Sequence, residues 1–147
     1  MLGGRIAPVN IADLPFNRLI GIAPSQKEGC VLSLPNDVRY TNHLGTVHAC
    51  ALIALAEATS GDYLIKESAG VEFEVIAVVR RLEAKFRKPA CGAVHSTITV
   101  TTEKKEEFLS LLGKKGRALF EHQVDVYDEK GSHALVAMIE WFVARKG

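Results

Sequence analysis

Long apolar runs are missing from this 147-residue sequence, and so is an excess of charge of one sign. No stretch approaches the ~20 apolar residues that a membrane-spanning helix needs, so no membrane partner is expected. The formal net charge is +1. That excludes a bulk electrostatic pull toward nucleic acid or an anionic lipid surface. Cysteine is scarce: Cys30, Cys50 and Cys91 are widely spaced and odd in number, which fits neither a disulfide framework nor a zinc pattern. His43, His95, His122 and His133 lack metal-ligand spacing, so no metal is expected. The opening Met1–Arg5 has no basic-then-apolar leader pattern. With reduced cysteines, this makes the cytoplasm the simplest location. Internal repeats, linkers and low-complexity segments are also lacking. The expectation is one domain over residues 1–147, with 1–12 as a loose lead-in.

What is present is an ordinary globular composition, 48% hydrophobic and 24% charged, enough for a real core. Leu14–Ile22 reads as a short helix, with Pro15 in its first turn and Gly21 as its stop. Gly29–Pro35 reads as a strand. Residues 71–88 read as a long strand in which Leu82, Ala84 and Phe86 alternate with charged residues, with a bulge at Arg80-Arg81. Val94–Thr101 is β-branched and strand-like. Glu103–Gly113 reads as a surface helix ended by Gly113. Arg117–Tyr127 and His133–Ala144 read as strands joined by a turn at Asp128–Gly131. The last strand is apolar on both faces, which predicts a central place in its sheet or a contact with another subunit.

The stretch Tyr40–Gly61 organises the rest. It opens polar and turn-like, with Thr46 expected as the N-cap of a helix. From Val47 it becomes a run rich in Ala and Leu, both strong helix formers, expected to continue to about Glu67 with Gly61 as a candidate stop. A helix so apolar is expected to be buried nearly all round. Glu57 is the lone carboxylate between Val47 and Thr59, and a buried carboxylate is costly without a partner or a task. An antiparallel sheet needs one covered face, and this helix is the only large apolar element able to cover it. The predicted fold is α+β: a sheet wrapped around one long central helix.

Asn42-x-x-Gly45-x-x-His48-Ala49-Cys50, with Glu57 farther along the helix, resembles the signature of PaaI-like hot-dog acyl-CoA thioesterases. The resemblance implies an acyl-CoA thioester substrate, with coenzyme A as part of that substrate and no separate cofactor. It implies Glu57 as base or nucleophile and the Ala49 backbone N–H as the oxyanion donor. Asn42 would hold water or the substrate carbonyl, and His48 would orient the loop and cap. Gly45 and Cys50 would border the substrate. The chain departs from the pattern in having Ala49-Cys50 where relatives keep two glycines, which narrows the space beside the carbonyl. No hydroxyl stands near Val78-Val79, where relatives place Ser or Thr.

Physical chemistry adds a constraint. Ala49 and Glu57 are eight residues apart on one helix, roughly 12 Å at ~1.5 Å per residue. One reacting carbonyl cannot lie about 3 Å from both. Either one of the two is not catalytic, or the two roles are met by two copies of the chain, and the expectation is the second, as a homodimer or a dimer of dimers. Other readings are simpler. Glu57 pairs with an arginine such as Arg80, His48 is a hydrogen-bonded structural histidine, and Asn42 makes a turn. A Cys50–His48 nucleophilic pair is disfavoured, because residues two apart point to different faces of a helix. Arg80, Arg81, Lys85 and Arg87 form the densest basic patch and are candidates for the coenzyme A phosphates, against the alternative of a solvated strand face. The competing function is a non-catalytic acyl-CoA-binding hot-dog protein, regulatory or scaffolding. No helix-turn-helix extension suggests a DNA-linked regulator, and no His–carboxylate hydratase motif is found.

Overall fold

A computed structural model describes residues 9–147. Residues 1–8 of the expected lead-in lie outside the described residues, but Ile11 within it is buried in a short 3-10 turn capped by the Asn10 side chain. The first helix, α1, spans Pro15–Ile20 and ends at Gly21 in the left-handed region, φ 79°. Two short strands come next, β1 (Ala23–Pro24) and β2 (Leu32–Leu34). The central helix α2 runs Ala49–Ser68, and β3 occupies Val75–Phe86. After β4 (Val94–Thr99), α3 (Thr102–Lys115) leads into β5 (Arg117–Asp128) and β6 (His133–Arg145).

The six strands form one antiparallel sheet in the order β1-β2-β4-β5-β6-β3. The final strand β6 is interior, between β5 and the edge strand β3. Its inner row, Leu135, Ala137, Ile139, Trp141 and Val143, is buried, while Val136, Met138 and Phe142 on the other face stay partly open. The bulge expected at Arg80-Arg81 is present: Val79 pairs with Trp141 and Arg81 with Glu140, leaving Arg80 as the extra residue.

The sheet curves around α2. Leu52, Leu55, Ala56 and Leu64 are buried in the core beneath it. Hydroxyls and an indole pin the helix in register. Thr59 Oγ1 lies 2.6 Å from Ser96 Oγ on β4, and Ser60 Oγ lies 2.7 Å from His122 Nδ1 on β5 and accepts from Trp141 Nε1–H on β6 at 2.7 Å.

Four expectations need correction. Thr46 does not cap α2; the His48 side chain does, accepting from the Cys50 N–H at 3.0 Å. Gly61 does not stop the helix. It is buried in mid-helix, where a Cβ would approach Ile11 and Trp141 at 3.3 and 3.6 Å. Gly113 does not end α3, which continues to Lys115 and closes at Gly116, φ 70°. Nor is α2 buried all round: Ala49 and Cys50 are exposed, and Ala51, Ile53, Ala54 and Glu57 are half-buried. One monomer's sheet covers only one side of the helix.

Candidate active site

The loop before α2 is built by Asn42. Its Oδ1 accepts from the N–H groups of Leu44 at 2.9 Å and Thr46 at 3.1 Å, and its Nδ2 donates to Thr46 Oγ1 at 2.9 Å. Gly45 turns the chain at φ 75°, a conformation that favours glycine. Thr41 and Val47 close the loop as an isolated bridge, and the His48 N–H donates to the Tyr40 carbonyl at 2.7 Å. Asn42 therefore spends its oxygen on the loop, and its contribution to the site is to place the start of α2.

A helix leaves its first amides without intrahelical acceptors. Here the Cys50 N–H is taken by His48 Nδ1, and the Ala51 and Leu52 N–H groups by the His48 carbonyl. The Ala49 N–H alone in this turn donates to nothing among the described residues. It stands at the positive end of a twenty-residue helix.

Glu57 lies two turns on. Cys50, Ala54 and Glu57 are spaced at i, i+4 and i+7, so they share the open face of α2. Glu57 makes no ion pair or hydrogen bond among the described residues, and the Arg80 pairing does not form. Burial pushes its carboxyl above the ordinary range, with no cation to offset it. The site therefore combines a free amide and a poised, partnerless carboxylate on one helix, too far apart for one carbonyl.

The basic residues of β3, and Arg87 just beyond its end, are all exposed. Arg81 meets Glu83 at 3.2 Å, while Arg80, Lys85 and Arg87 have no ion partner among the described residues. Val78 and Val79 are exposed and bring no hydroxyl to the helix. The fold also creates a cleft that no sequence motif marks. It holds about 230 Å³ beside the start of α2, bounded by Phe16, Ile20, Tyr40 and Ala54 and reaching His48 and Cys50. The amphipathic pattern of α1, with Phe16 and Ile20 four apart, is the one available signal for it. No helix among the described residues is long and apolar enough to cross a membrane.

A six-stranded antiparallel sheet wrapped around one long helix makes this a hot-dog protein. Residues 18–143 match the family described as a domain of unknown function, DUF4442, and the chain belongs to that family. No curated protein matches it. Among solved structures, the chain is similar to a Pseudomonas aeruginosa protein of unknown function described as a probable thioesterase. The identity is 22%, the TM-score 0.74, and 92% of this chain and 91% of that one are covered. A protein of unknown function from Chlorobaculum tepidum is similar at 14% identity and TM-score 0.78, covering 91% and 88%. A Bacillus halodurans protein crystallised with CoA is similar at 18% identity and TM-score 0.58, covering 76% and 65%. At these identities the likeness is one of fold.

Proposed function

We propose that this protein hydrolyses an acyl-CoA thioester at a site shared by two copies of the chain. The observation that carries this reading is the pairing, on one helix, of a free amide at Ala49 with a half-buried carboxylate at Glu57, neither of which has a partner among the described residues. Thioester hydrolysis needs these two groups: a donor aimed at the developing oxyanion and a base or nucleophile. In the base form, Glu57 of one copy takes a proton from water as the water oxygen attacks the carbonyl carbon. The oxyanion receives the Ala49 N–H of the other copy. The C–S bond then breaks and the coenzyme A sulfur leaves with the proton, giving a carboxylic acid and free thiol. The exposed Arg80, Lys85 and Arg87 are suited to the coenzyme A phosphates. The description of the Pseudomonas protein as a probable thioesterase and the CoA bound to the Bacillus protein support the same substrate class. Three free cysteines favour a reducing compartment such as the cytoplasm.

Free-thiol release from a panel of acyl-CoAs tests the reading, with wild type set against Glu57→Gln. The expected loss is roughly a hundredfold or more in kcat/KM. Because Glu57 acts ionised and its pKa is raised, the acid limb of the wild-type profile should lie above the ordinary value of 4.5. Release untouched by Glu57→Gln removes its role. A second reading, binding without hydrolysis, is favoured by the side chains of Ala49 and Cys50 beside the carbonyl site. Acyl-CoA binding with no thiol release establishes it.

A further inference from the structure

The cleft beside α2 brackets the free amide of Ala49, because His48 and Cys50 on either side of it both line the space. Most of its polar groups are already engaged, the Cys50 thiol and His48 Nε2 being the exceptions among the described residues. The Tyr40 hydroxyl donates to the Ile20 carbonyl, and the Thr41 hydroxyl donates to the Val38 carbonyl at 2.7 Å. The Arg39 guanidinium holds Asp37 Oδ2 at 2.8 and 3.0 Å, and His48 Nδ1 accepts from the Cys50 N–H. What the cleft offers a ligand is mainly carbon, from Phe16, Ile20, Leu34, Ala51 and Ala54. A charged or hydrogen-bonding group entering it would lose its water and gain little, whereas a hydrocarbon group loses nothing.

Its outer wall is fixed. Asn17 is buried and donates from Nδ2 to the Ile11 carbonyl at 2.9 Å, and the Tyr40 bond to Ile20 holds the other end of α1. This leaves Phe16, 62% exposed, at the rim. The volume sets a scale. An apolar cavity of about 150 Å³ accommodates the six aromatic carbons of benzene, so about 230 Å³, roughly one and a half times that, admits roughly six to eight of the bulkier saturated carbons.

We infer that this cleft is the acyl pocket of the site, that it takes a neutral hydrocarbon acyl group of roughly six to eight carbons, and that Phe16 sets that length. The inference rests on the thioesterase reading, in that the carbonyl at Ala49 directs its chain into the neighbouring cleft.

Two measurements test it. The first is kcat/KM for straight-chain acyl-CoAs from roughly two to sixteen carbons. Wild type should peak at medium length. Ala54→Leu, which fills the cleft, should shift the optimum shorter by about two carbons or more, and Phe16→Ala, which opens it, longer by a similar step. The second does not depend on turnover: alkylation of Cys50 by N-ethylmaleimide in a Cys30→Ser, Cys91→Ser, Glu57→Gln chain. Octanoyl-CoA should slow labelling, about tenfold at ten times its Kd, while desulfo-coenzyme A, which lacks both the acyl chain and the thiol that would consume the maleimide, should not. An optimum indifferent to both substitutions, with Cys50 unprotected, overturns the pocket and leaves hydrolysis standing. Protection of Cys50 by octanoyl-CoA without thiol release in any wild-type assay upholds the pocket and overturns hydrolysis.

Discussion

His122 has no solvent exposure, and its Nε2 finds no hydrogen-bond partner among the described residues. Its ring meets Phe120 and Tyr63 edge to face at centroid distances of 4.3 and 5.1 Å. Burial, with Lys104 nearby and the Ser60 bond opposing, lowers its pKa from 6.5 to about 4. The unfolded chain therefore binds more protons than the folded one between those values. Stability should be full above about pH 6.5 and fall progressively as pH drops toward 4, by about 3 kcal/mol in all. Urea midpoints from pH 7 to 4 should show this slope, and His122→Gln should flatten it. Glu57 works in the opposite direction: its raised pKa favours the folded state at low pH and costs stability as pH rises through the folded value. The two residues also differ in how far they can be read from sequence. A single carboxylate in an Ala/Leu run stands out. His122 sits between Glu121 and Gln123 like any histidine on a solvated strand. Its partner Ser60 is 62 residues away, and Trp141, which donates to the same hydroxyl, is 81 residues from Ser60.

Among the elements, the β5–β6 hairpin shows how one side chain holds a junction. Asp128 is buried and accepts from the N–H groups of Cys91, Lys130 and Ser132 at 3.1, 3.0 and 2.9 Å. Burial raises its pKa, but the three amides outweigh that, and the net shift is downward. Its contribution is present above the ordinary value of 3.8 and lost as pH falls through the lowered folded value. Asp128→Ala should cost about 1–3 kcal/mol in denaturant unfolding, and Asp128→Asn less, since the amide oxygen still accepts. The turn is legible because Asp-Glu-Lys-Gly lies between two β-patterned runs. Element ends are less so. Glycine reads as a stop at Gly61 and Gly113, yet both lie within helices, Gly61 because the Trp141 indole packs where a side chain would sit. The cap passes from Thr46 to His48 because the Asn42 loop claims the threonine. β1, two residues ending in a proline, leaves no periodicity to read.

Among the described residues the isolated chain leaves open the Cys50–Ala54–Glu57 face of α2 and, at the end of the sheet opposite the short β1, the outer edge of β3. That edge strand is twelve residues long, and before the Arg80 bulge it is wholly apolar, from Val75 to Val79, with Ile76 51% and Val78 58% exposed. Unpaired edges of this kind are templates for pairing with another chain. An antiparallel match of two such edges about a two-fold axis would extend the sheet and face one α2 toward the other, the arrangement the separated Ala49 and Glu57 call for. Complementation between inactive chains decides it. Glu57→Gln keeps the amide end intact, and Asn42→Ala, which undoes the loop before Ala49, keeps the carboxylate. Each alone should be inactive. Refolded together in equal amounts, they should recover about one quarter of the wild-type rate, because half the dimers are mixed and one of two sites in each is whole. If both groups instead act within one copy, every site carries a lesion and the mixture stays inactive. Val78→Asp extends the test. It places like charges across the proposed axis at a residue already exposed in the monomer, where substitution costs about 1 kcal/mol or less. It should convert the dimer to monomer in sedimentation and remove activity with it, while the folded monomer keeps its circular dichroism. A fully active monomer would rule out the shared site.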